Sequence, residues 1–347
     1  MVRAFWLSVA GMVLAAIAPP AFAQSRLFAD DAPVAFTITA PFNTVLRTAK
    51  SSTDPVAATL TVAGDARAIP LQIAPRGFTR RTAGYCTFPP IKLDFERADV
   101  EGSLFEGQNK LKLVTHCKPA ESFQQLYIKE YLVYRLYNLL TPISFRVRPA
   151  QVTYHDGEGR RADVTRFAFL VESQGDMARR NGLTPFETPP GQVAATRLDP
   201  PTITLLALFQ YMIGNLDWDP VTGPPGDECC HNGKLLARDG ATTGLIPVPY
   251  DFDFTGLVDA PYATPPDSIA VPNVRRRYYR GYCRDHDRLP AAIATLRQHR
   301  AAMASVIAGE TLLADGERRA MQAYLDDFFK SVDNGDFERE STRHCRG

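Results

Sequence analysis

The sequence predicts an α+β protein with two lobes, a β-rich N-terminal lobe followed by a mainly helical C-terminal lobe. Strand-like alternation of apolar and polar residues dominates positions 33–150. Helical periodicity dominates after residue 173, and polar motifs cluster where the two patterns meet. The predicted organisation is a signal peptide at 1–23, the β-rich lobe at 24–172 and the helical lobe at 173–347.

Alternating residues place seven strands in the first lobe. They are predicted at 34–39, 58–62, 69–73, 91–95, 110–114, 146–154 and 166–171. The last two are joined by the turn-rich segment Asp156-Gly157-Glu158-Gly159. Residues 157–162 formally fit a dinucleotide-binding fingerprint, but their place between two strands favours a hairpin turn.

Apolar residues at helical spacing predict four helices, one of them within the first lobe. They cover 123–140, 202–213, 289–308 and 316–332. Thr141-Pro142 ends the first of these helices. The proline-rich stretch 185–201 predicts a surface excursion at the start of the second lobe.

The N-terminus has the pattern of a cleaved secretory signal. Arg3 precedes an apolar run over 4–18, and Ala21-Phe22-Ala23 supplies small residues for cleavage. We therefore expect an exported protein, periplasmic or secreted, with no transmembrane segment after cleavage. The chain has 39 Lys and Arg against 38 Asp and Glu, so no overall charge recruits nucleic acid.

Six cysteines in an exported chain predict disulfides, and six allow 15 pairings. Cys86 and Cys117 are expected to pair because both lie at the ends of predicted strands in one segment. Cys229 and Cys230 are then expected to pair with Cys283 and Cys345. Cys229-Cys230-His231 is a weaker candidate for a metal site, since no second Cys/His pair at ligand spacing accompanies it.

Two short polar segments indicate phosphoryl transfer. Gly214-Asn215-Leu216-Asp217 and Pro249-Tyr250-Asp251-Phe252-Asp253, with Asn232 between them, supply the side chains that such chemistry requires. An aspartate orients a hydroxyl nucleophile, while an Asn and a second Asp hold Mg²⁺ against phosphates. Alternatively, Asn215 and Asp217 simply cap the preceding helix and the following turn, and Asp251 and Asp253 end a strand.

Several segments, taken in order, resemble the CotH spore-coat kinase family, and the catalytic segment is also similar to HipA-type kinases. The resemblance covers most of residues 33–260 and rests on their order, since no one segment is specific alone. The segments are 71–77, 92–95, 105–113, 128–134, 214–217 and 249–253. The sequence departs from the pattern in the long insertion between Asp217 and Asn232 and in the absence of a Gly-rich phosphate loop.

The resemblance implies a bilobed protein-kinase-like fold and a role for each polar residue. Asp217, with Asn215 beside it, would be catalytic and position the acceptor hydroxyl. The metal, Mg²⁺ or Mn²⁺ bound with ATP, would be held by Asn232, Asp251 and Asp253.

The resemblance also implies that a lysine pairs with Glu130 and contacts phosphate. Lys110 and Lys112 are both candidates because side chains two apart on a strand share a face. Alternatively, both lysines have no role in a site and simply belong to the solvated face of an edge strand.

Two functions from different classes follow. One is an exported atypical kinase-like enzyme that transfers phosphate from a nucleotide to a protein, glycan or other hydroxyl acceptor. The other is a catalytically inactive binding or structural protein of the envelope or secreted fraction that uses the same cleft. A Ser- or Cys-dependent hydrolase is disfavoured because Gly-x-Ser-x-Gly and His-Glu-x-x-His are absent from the sequence.

Overall fold

The structure is a computed structural model that describes residues 25–77, 79–82, 85–188, 192–223 and 229–347. The predicted signal peptide at 1–23 lies outside these ranges, as does part of the insertion between Asp217 and Asn232. No helix within these ranges combines the length and apolar character needed to cross a membrane.

Ten strands are present in the described ranges. They are β1 Val34–Ala40, β2 Val56–Val62, β3 Ala68–Pro75, β4 Ile91–Asp94, β5 Lys110–Val114, β6 Val147–Asp156, β7 Val164–Val171, β8 Thr184–Pro185, β9 Gly233–Ala237 and β10 Ile246–Pro249. All seven strands predicted from alternation are found close to their predicted bounds. The predicted hairpin is also confirmed, because β6 and β7 pair antiparallel across the 157–159 turn.

Eight α-helices occur in the same ranges. They are α1 Phe42–Thr48, α2 Thr79–Thr82, α3 Glu121–Leu140, α4 Gln174–Arg180, α5 Pro200–Ile213, α6 Leu289–Gly309, α7 Asp315–Asp333 and α8 Asp336–His344. The four helices predicted from periodicity correspond to α3, α5, α6 and α7. Helical spacing is a strong signal here because these helices bury one or more faces in a large core.

The predicted bilobed protein-kinase-like fold is wrong. The first seven strands close into a barrel in the order β1-β2-β3-β4-β5-β7-β6. Closure comes from a parallel pairing of β1 with β6, from Val34 opposite Ala150 to Ala40 opposite Asp156. The protein is therefore a barrel-based α+β structure, in which full closure removes the free sheet edges.

Two hydrophobic cores fill this architecture. The barrel interior is packed with alternate residues of its strands, such as Phe36, Ile38 and Leu60. The second core lies between α3, the helices α5 to α7 and the small sheet β8-β9-β10. Helix α3 also packs on β7, so it joins the barrel to the helical part.

Three disulfides are formed, which agrees with an exported protein in an oxidising environment. The predicted Cys86–Cys117 bond is confirmed. The predicted pairing of Cys229 and Cys230 with the two later cysteines is wrong, because Cys229 bonds to Cys230 and Cys283 bonds to Cys345. An isolated bridge between Tyr282 and Arg346 explains the Cys283–Cys345 bond, since the Cys283 N–H donates to the Arg346 carbonyl at 2.9 Å and brings Cys345 alongside.

Removing the Cys283–Cys345 bond is expected to destabilise the fold strongly. The bond closes a loop of 62 residues, so its loss raises the entropy of the unfolded chain and costs roughly 2–5 kcal/mol. The double variant Cys283→Ala with Cys345→Ala should show this loss in urea unfolding. Cys229→Ala with Cys230→Ala is the matched control, because adjacent residues close almost no loop; equal losses in the two variants would contradict this account.

Candidate functional site

A cavity of about 750 Å³ opens where the loops after α5, β3 and β10 meet the start of β9. This volume is within the usual range for small-molecule sites, roughly 300–1,000 Å³. Polar and charged groups dominate its wall. They include Arg76, Arg80, Asp217, His231, Asn232, Lys234, Asp251 and Asp253.

The loop that carries Asp217 is fixed by the end of α5. Gly214 ends the helix in the left-handed region at φ 66°, where a Cβ would lie 2.1 Å from the Tyr324 hydroxyl. Glycine is therefore required at this helix end. Asn215 is buried, donates to the Gln210 side chain at 3.0 Å and accepts the Asp217 N–H at 2.9 Å. Asn215 thus positions Asp217 and does not face the cavity.

The Asp217 carboxylate is the centre of a hydrogen-bonded group at the cavity wall. Its Oδ1 contacts His231 Nε2 at 2.6 Å, and its Oδ2 accepts from Asn232 Nδ2 at 2.9 Å. The hydrogen bond to Asp217 raises the pKa of His231, against the opposing effect of burial. A sequence separation of 15 residues between Asp217 and Asn232 therefore does not keep them apart.

The pairing of β9 with β10 brings Asn232 and Asp251 to the same end of a sheet. Gly233 lies opposite Pro249, and the Tyr250 N–H donates to the Asn232 carbonyl at 3.1 Å. Asp251 follows in the left-handed region at φ 63°. Its N–H donates to the Tyr134 hydroxyl at 2.9 Å, which ties this loop to α3.

Asn232 and Asp251 offer oxygens that suit a hard cation. The Asn232 Oδ1 and both Asp251 carboxylate oxygens accept no hydrogen bond from any described residue, and both residues line the cavity. Mg²⁺ is commonly held by one or two protein oxygens together with substrate phosphates. No group of three or more His, Cys, Asp or Glu side chains in the described ranges is arranged to hold a metal alone.

Asp253 and Glu130 share a buried arginine. Arg80 Nη2 lies 2.8 Å from Glu130 Oε2 and 2.8 Å from Asp253 Oδ2. The expected partner of Glu130 was Lys110 or Lys112, and the structure pairs it with Arg80 instead. Burial raises the pKa of Glu130, and the neighbouring Arg80 guanidinium opposes this by favouring the charged carboxylate. Asp253 is held by Arg80 and is therefore a poorer metal ligand than Asp251.

The two candidate lysines lie on the same face of β5 but have different surroundings. Lys112 lies at the site, with its Nζ 3.7 Å from the centre of the Tyr250 ring. Lys110 is exposed at the start of β5 and lines a different groove with Lys92 and Asp94. Burial and the neighbouring Arg76 and Lys234 lower the pKa of Lys112 to about 7, while Asp251 raises it.

Positive charge around Tyr250 and Asp251 exceeds negative charge. No ion pair joins Lys112, Arg76 or Lys234 to any described carboxylate. Arg76 and Lys234 lie close enough to lower the pKa of Lys112, and Asp251 raises it. A low-dielectric wall with unpaired cations favours an anionic ligand. The cavity therefore combines oxygens for a cation with cations for an anion, as a metal–phosphate complex requires.

Arg80, His231, Arg76 and Lys234 were not predicted as site residues. Arg80 lies in a four-residue helix with no apolar periodicity, so no local signal marks it. The sequence indicates His231 only as a candidate metal ligand beside Cys229-Cys230. The disulfide between those cysteines forms part of the cavity wall next to His231.

Two arginines, Arg280 and the C-terminal Arg346, hold the loop that carries Asp217. Arg346 pairs with Asp219 at 2.9 Å, and Arg280 donates to the Leu216 and Trp218 carbonyls, each at 2.6 Å. Arg346 is adjacent to Cys345, whose disulfide fixes this segment. The loop is thus held on both sides of Asp217.

In comparisons with known proteins, no family model and no curated protein matches this chain.

Loss of Asp217 is expected to lower the pKa of His231. In the wild type a histidine titration by NMR should give a pKa above the ordinary value of 6.5, and Asp217→Asn should bring it back toward that value. Because the folded-state pKa is raised, this pair stabilises the fold fully at pH below the ordinary value. The contribution is lost as the pH rises through the raised pKa. Asp239→Asn, at an exposed position, is the control; an unchanged His231 titration in Asp217→Asn would refute the contact.

Replacing Arg80 with Met is expected to destabilise the protein by roughly 3–5 kcal/mol, because two buried carboxylates lose their shared cation. Chemical unfolding at neutral pH measures the change. Arg81→Met is the matched control, since this neighbouring arginine donates only to the backbone carbonyls of Gly77, Ala49 and Lys50. A loss no larger than that of the control would show that the Arg80 ion pairs add little.

Proposed function

We propose that this protein is a divalent-metal-dependent phosphotransferase of the periplasm or the secreted fraction. It would transfer a phosphoryl group from a nucleotide to a hydroxyl of a protein, glycan or other acceptor. The observation that carries this proposal is that Asp217, Asn232 and Asp251 line one cavity whose unpaired cations border the same wall. Asp217 and Asp251 lie in segments that resemble the CotH family, and Asn232 lies between those segments. The proposal does not depend on a protein-kinase-like fold.

The cations would bind the phosphates. Arg76 and Lys234 line the cavity, and Lys112 lies behind Tyr250 with no acidic partner among the described residues. A lysine with a pKa near 7 gains its proton fully when a phosphate approaches, so binding is coupled to its charge. Its partial burial strengthens the interaction relative to a solvated lysine.

A metal ion would be held by Asn232 and Asp251. When bound, it would neutralise the charge that accumulates on the transferred and leaving phosphate oxygens. The positive φ of Asp251 and its bond to Tyr134 keep the carboxylate at the cavity wall. The hydrogen bond from Asn232 Nδ2 to Asp217 leaves the Asn232 Oδ1 available.

Asp217 would orient the acceptor hydroxyl and accept its proton as the new O–P bond forms. The bond from phosphorus to the nucleoside diphosphate breaks in the same transfer. His231 donates to or shares a proton with Asp217 Oδ1, which fixes the carboxylate orientation. Asn215 holds the loop that carries Asp217.

One observation favours the second candidate, an inactive ligand-binding protein. Both oxygens of the Asp217 carboxylate are already engaged, one by His231 and one by Asn232. Each oxygen keeps a second lone pair, but an acceptor hydroxyl would have to share the carboxylate charge with His231 and Asn232. In the binding-protein alternative the same cavity takes an anionic ligand and no transfer occurs.

The oxidised protein is expected to bind ATP in the presence of Mg²⁺ or Mn²⁺, as measured by calorimetry. Lys112→Met should weaken binding roughly 10- to 100-fold, since a charge-assisted contact to phosphate is lost. Lys110→Met is the matched control on the same strand and should retain wild-type affinity. Asp251→Asn should remove the metal dependence of binding.

The outcomes separate the two candidates. No ATP binding by the folded wild type, with or without metal, would refute the phosphotransferase. Metal-dependent binding followed by labelling of an added protein or glycan mixture from γ-labelled ATP, lost in Asp217→Asn, supports it. Equal weakening by Lys110→Met and Lys112→Met would show that ATP binds elsewhere.

A further inference from the structure

A second cavity, of about 720 Å³, lies at the C-terminal end of α3. Its wall includes the residues that follow the short turn Arg26–Phe28, the loop 141–146 and the end of α4. It shares no described lining residue with the first cavity. None of the roles considered so far uses it.

The acidic side chains around this cavity are each paired with an arginine. The pairs are Asp30 with Arg148 at 3.4 Å, Asp31 with Arg135 at 2.8 Å and Glu172 with Arg180 at 2.8 Å. Arg180 makes two bonds to Glu172 and two more to the Pro142 and Ser144 carbonyls. Each of these three guanidinium groups therefore has a carboxylate partner.

Arg146 is the arginine at this cavity that has no carboxylate partner in the described ranges. It lines the cavity, forms no ion pair in the described ranges, and its Nη1 is buried with no hydrogen-bond partner. Its backbone N–H donates to Glu172, so the residue is held in place while its side chain is not satisfied. Burial and the nearby Arg180 lower the pKa of Arg146, while Glu172 and Asp31 raise it.

The Arg146 side chain is partly buried, and burying its Nη1 without an acceptor costs stability. Three carboxylates at this site pair with three arginines, and Arg146 has no carboxylate partner among the described residues. The cavity is large enough to hold a molecule that supplies the missing negative charge. Phe28, Leu139, Leu140 and Val147 supply apolar wall beside the guanidinium. Thr141 and Ser144 add polar groups to the same wall.

We propose that this cavity binds a small molecule with one carboxylate or phosphate group on an apolar body, and that Arg146 receives the anionic group. A planar guanidinium donates to either anion through two parallel bonds. The apolar body lies against the wall formed by the end of α3. The site is independent of phosphoryl transfer at the first cavity.

The test uses butyl phosphate and pentanoate as probes, with 1-butanol as the uncharged probe, in calorimetry and NMR titrations of the full protein. At least one anion should bind more tightly than 1-butanol, and the tighter of the two identifies the preferred head group. Arg146→Met should weaken that anion roughly 10- to 100-fold. Arg160→Met, at an exposed arginine of the β6–β7 turn, should leave it unchanged.

Thermal unfolding without ligand gives an independent readout. Arg146→Met removes an unpaired charge and keeps the side-chain length, so its Tm should equal or exceed that of the wild type. The proposal is overturned if neither anion binds, if Arg146→Met binds as the wild type does, or if Arg146→Met lowers the Tm by several degrees. The last result would show that the guanidinium serves the fold.

Discussion

The guanidinium of Arg80 joins three parts of the chain that are far apart in sequence. It extends from a short helix between β3 and β4, contacts Glu130 in the middle of α3, and contacts Asp253 in the loop after β10. Nearly all of this ion-pair network is buried; Arg80 is 7% exposed and Glu130 1%. Because breaking one member would leave unpaired charge in the interior, the barrel, the connecting helix and the site loop are held in one arrangement.

The burial of the Arg80 ion pairs also explains why the Asp251 carboxylate faces the cavity. Asp253 is drawn inward by Arg80, and Phe252 is fully buried against Tyr134, with ring centres 4.7 Å apart. The Asp251 N–H donates to the Tyr134 hydroxyl. With both following residues fixed in the interior, the Asp251 carboxylate faces the cavity. The fold thus positions a solvent-accessible acid by burying its neighbours.

Local patterns in the sequence were sufficient for the elements but not for their assembly. The strands and long helices follow from period-two and helical spacing, which report burial of one face. Barrel closure depends on β1 pairing with β6, and no local pattern specifies which distant strand completes a sheet. Kinase-like motifs could not reveal it either, since short polar segments describe a site and not the fold around it.

In the candidate site, too, some residues could be predicted from local sequence and others depend on how distant segments assemble. Asp217, Asn232 and Asp251 could be selected because Asn and Asp next to Gly, Pro or aromatic residues stand out from an apolar background. The partner of Glu130 could not be predicted from the sequence. The choice between Arg80 and the two lysines depends on the barrel, which brings Arg80 into contact with Glu130 of α3. The disulfides show a similar contrast: Cys86–Cys117 lies within one predicted segment, whereas Cys283–Cys345 depends on how the C-terminus returns to Tyr282.

The two cavities have one physical property in common. Arg80, Arg135 and Arg180 at the walls of these cavities each have a carboxylate within salt-bridge distance. Lys112 and Arg146 do not follow this pattern, and each lies beside a cavity of more than 700 Å³. An unpaired cation lowers stability unless a ligand completes it, and departures from internal pairing are expected where a protein binds something else. The coincidence of an unpaired cation with a large cavity is therefore the property that marks both candidate sites.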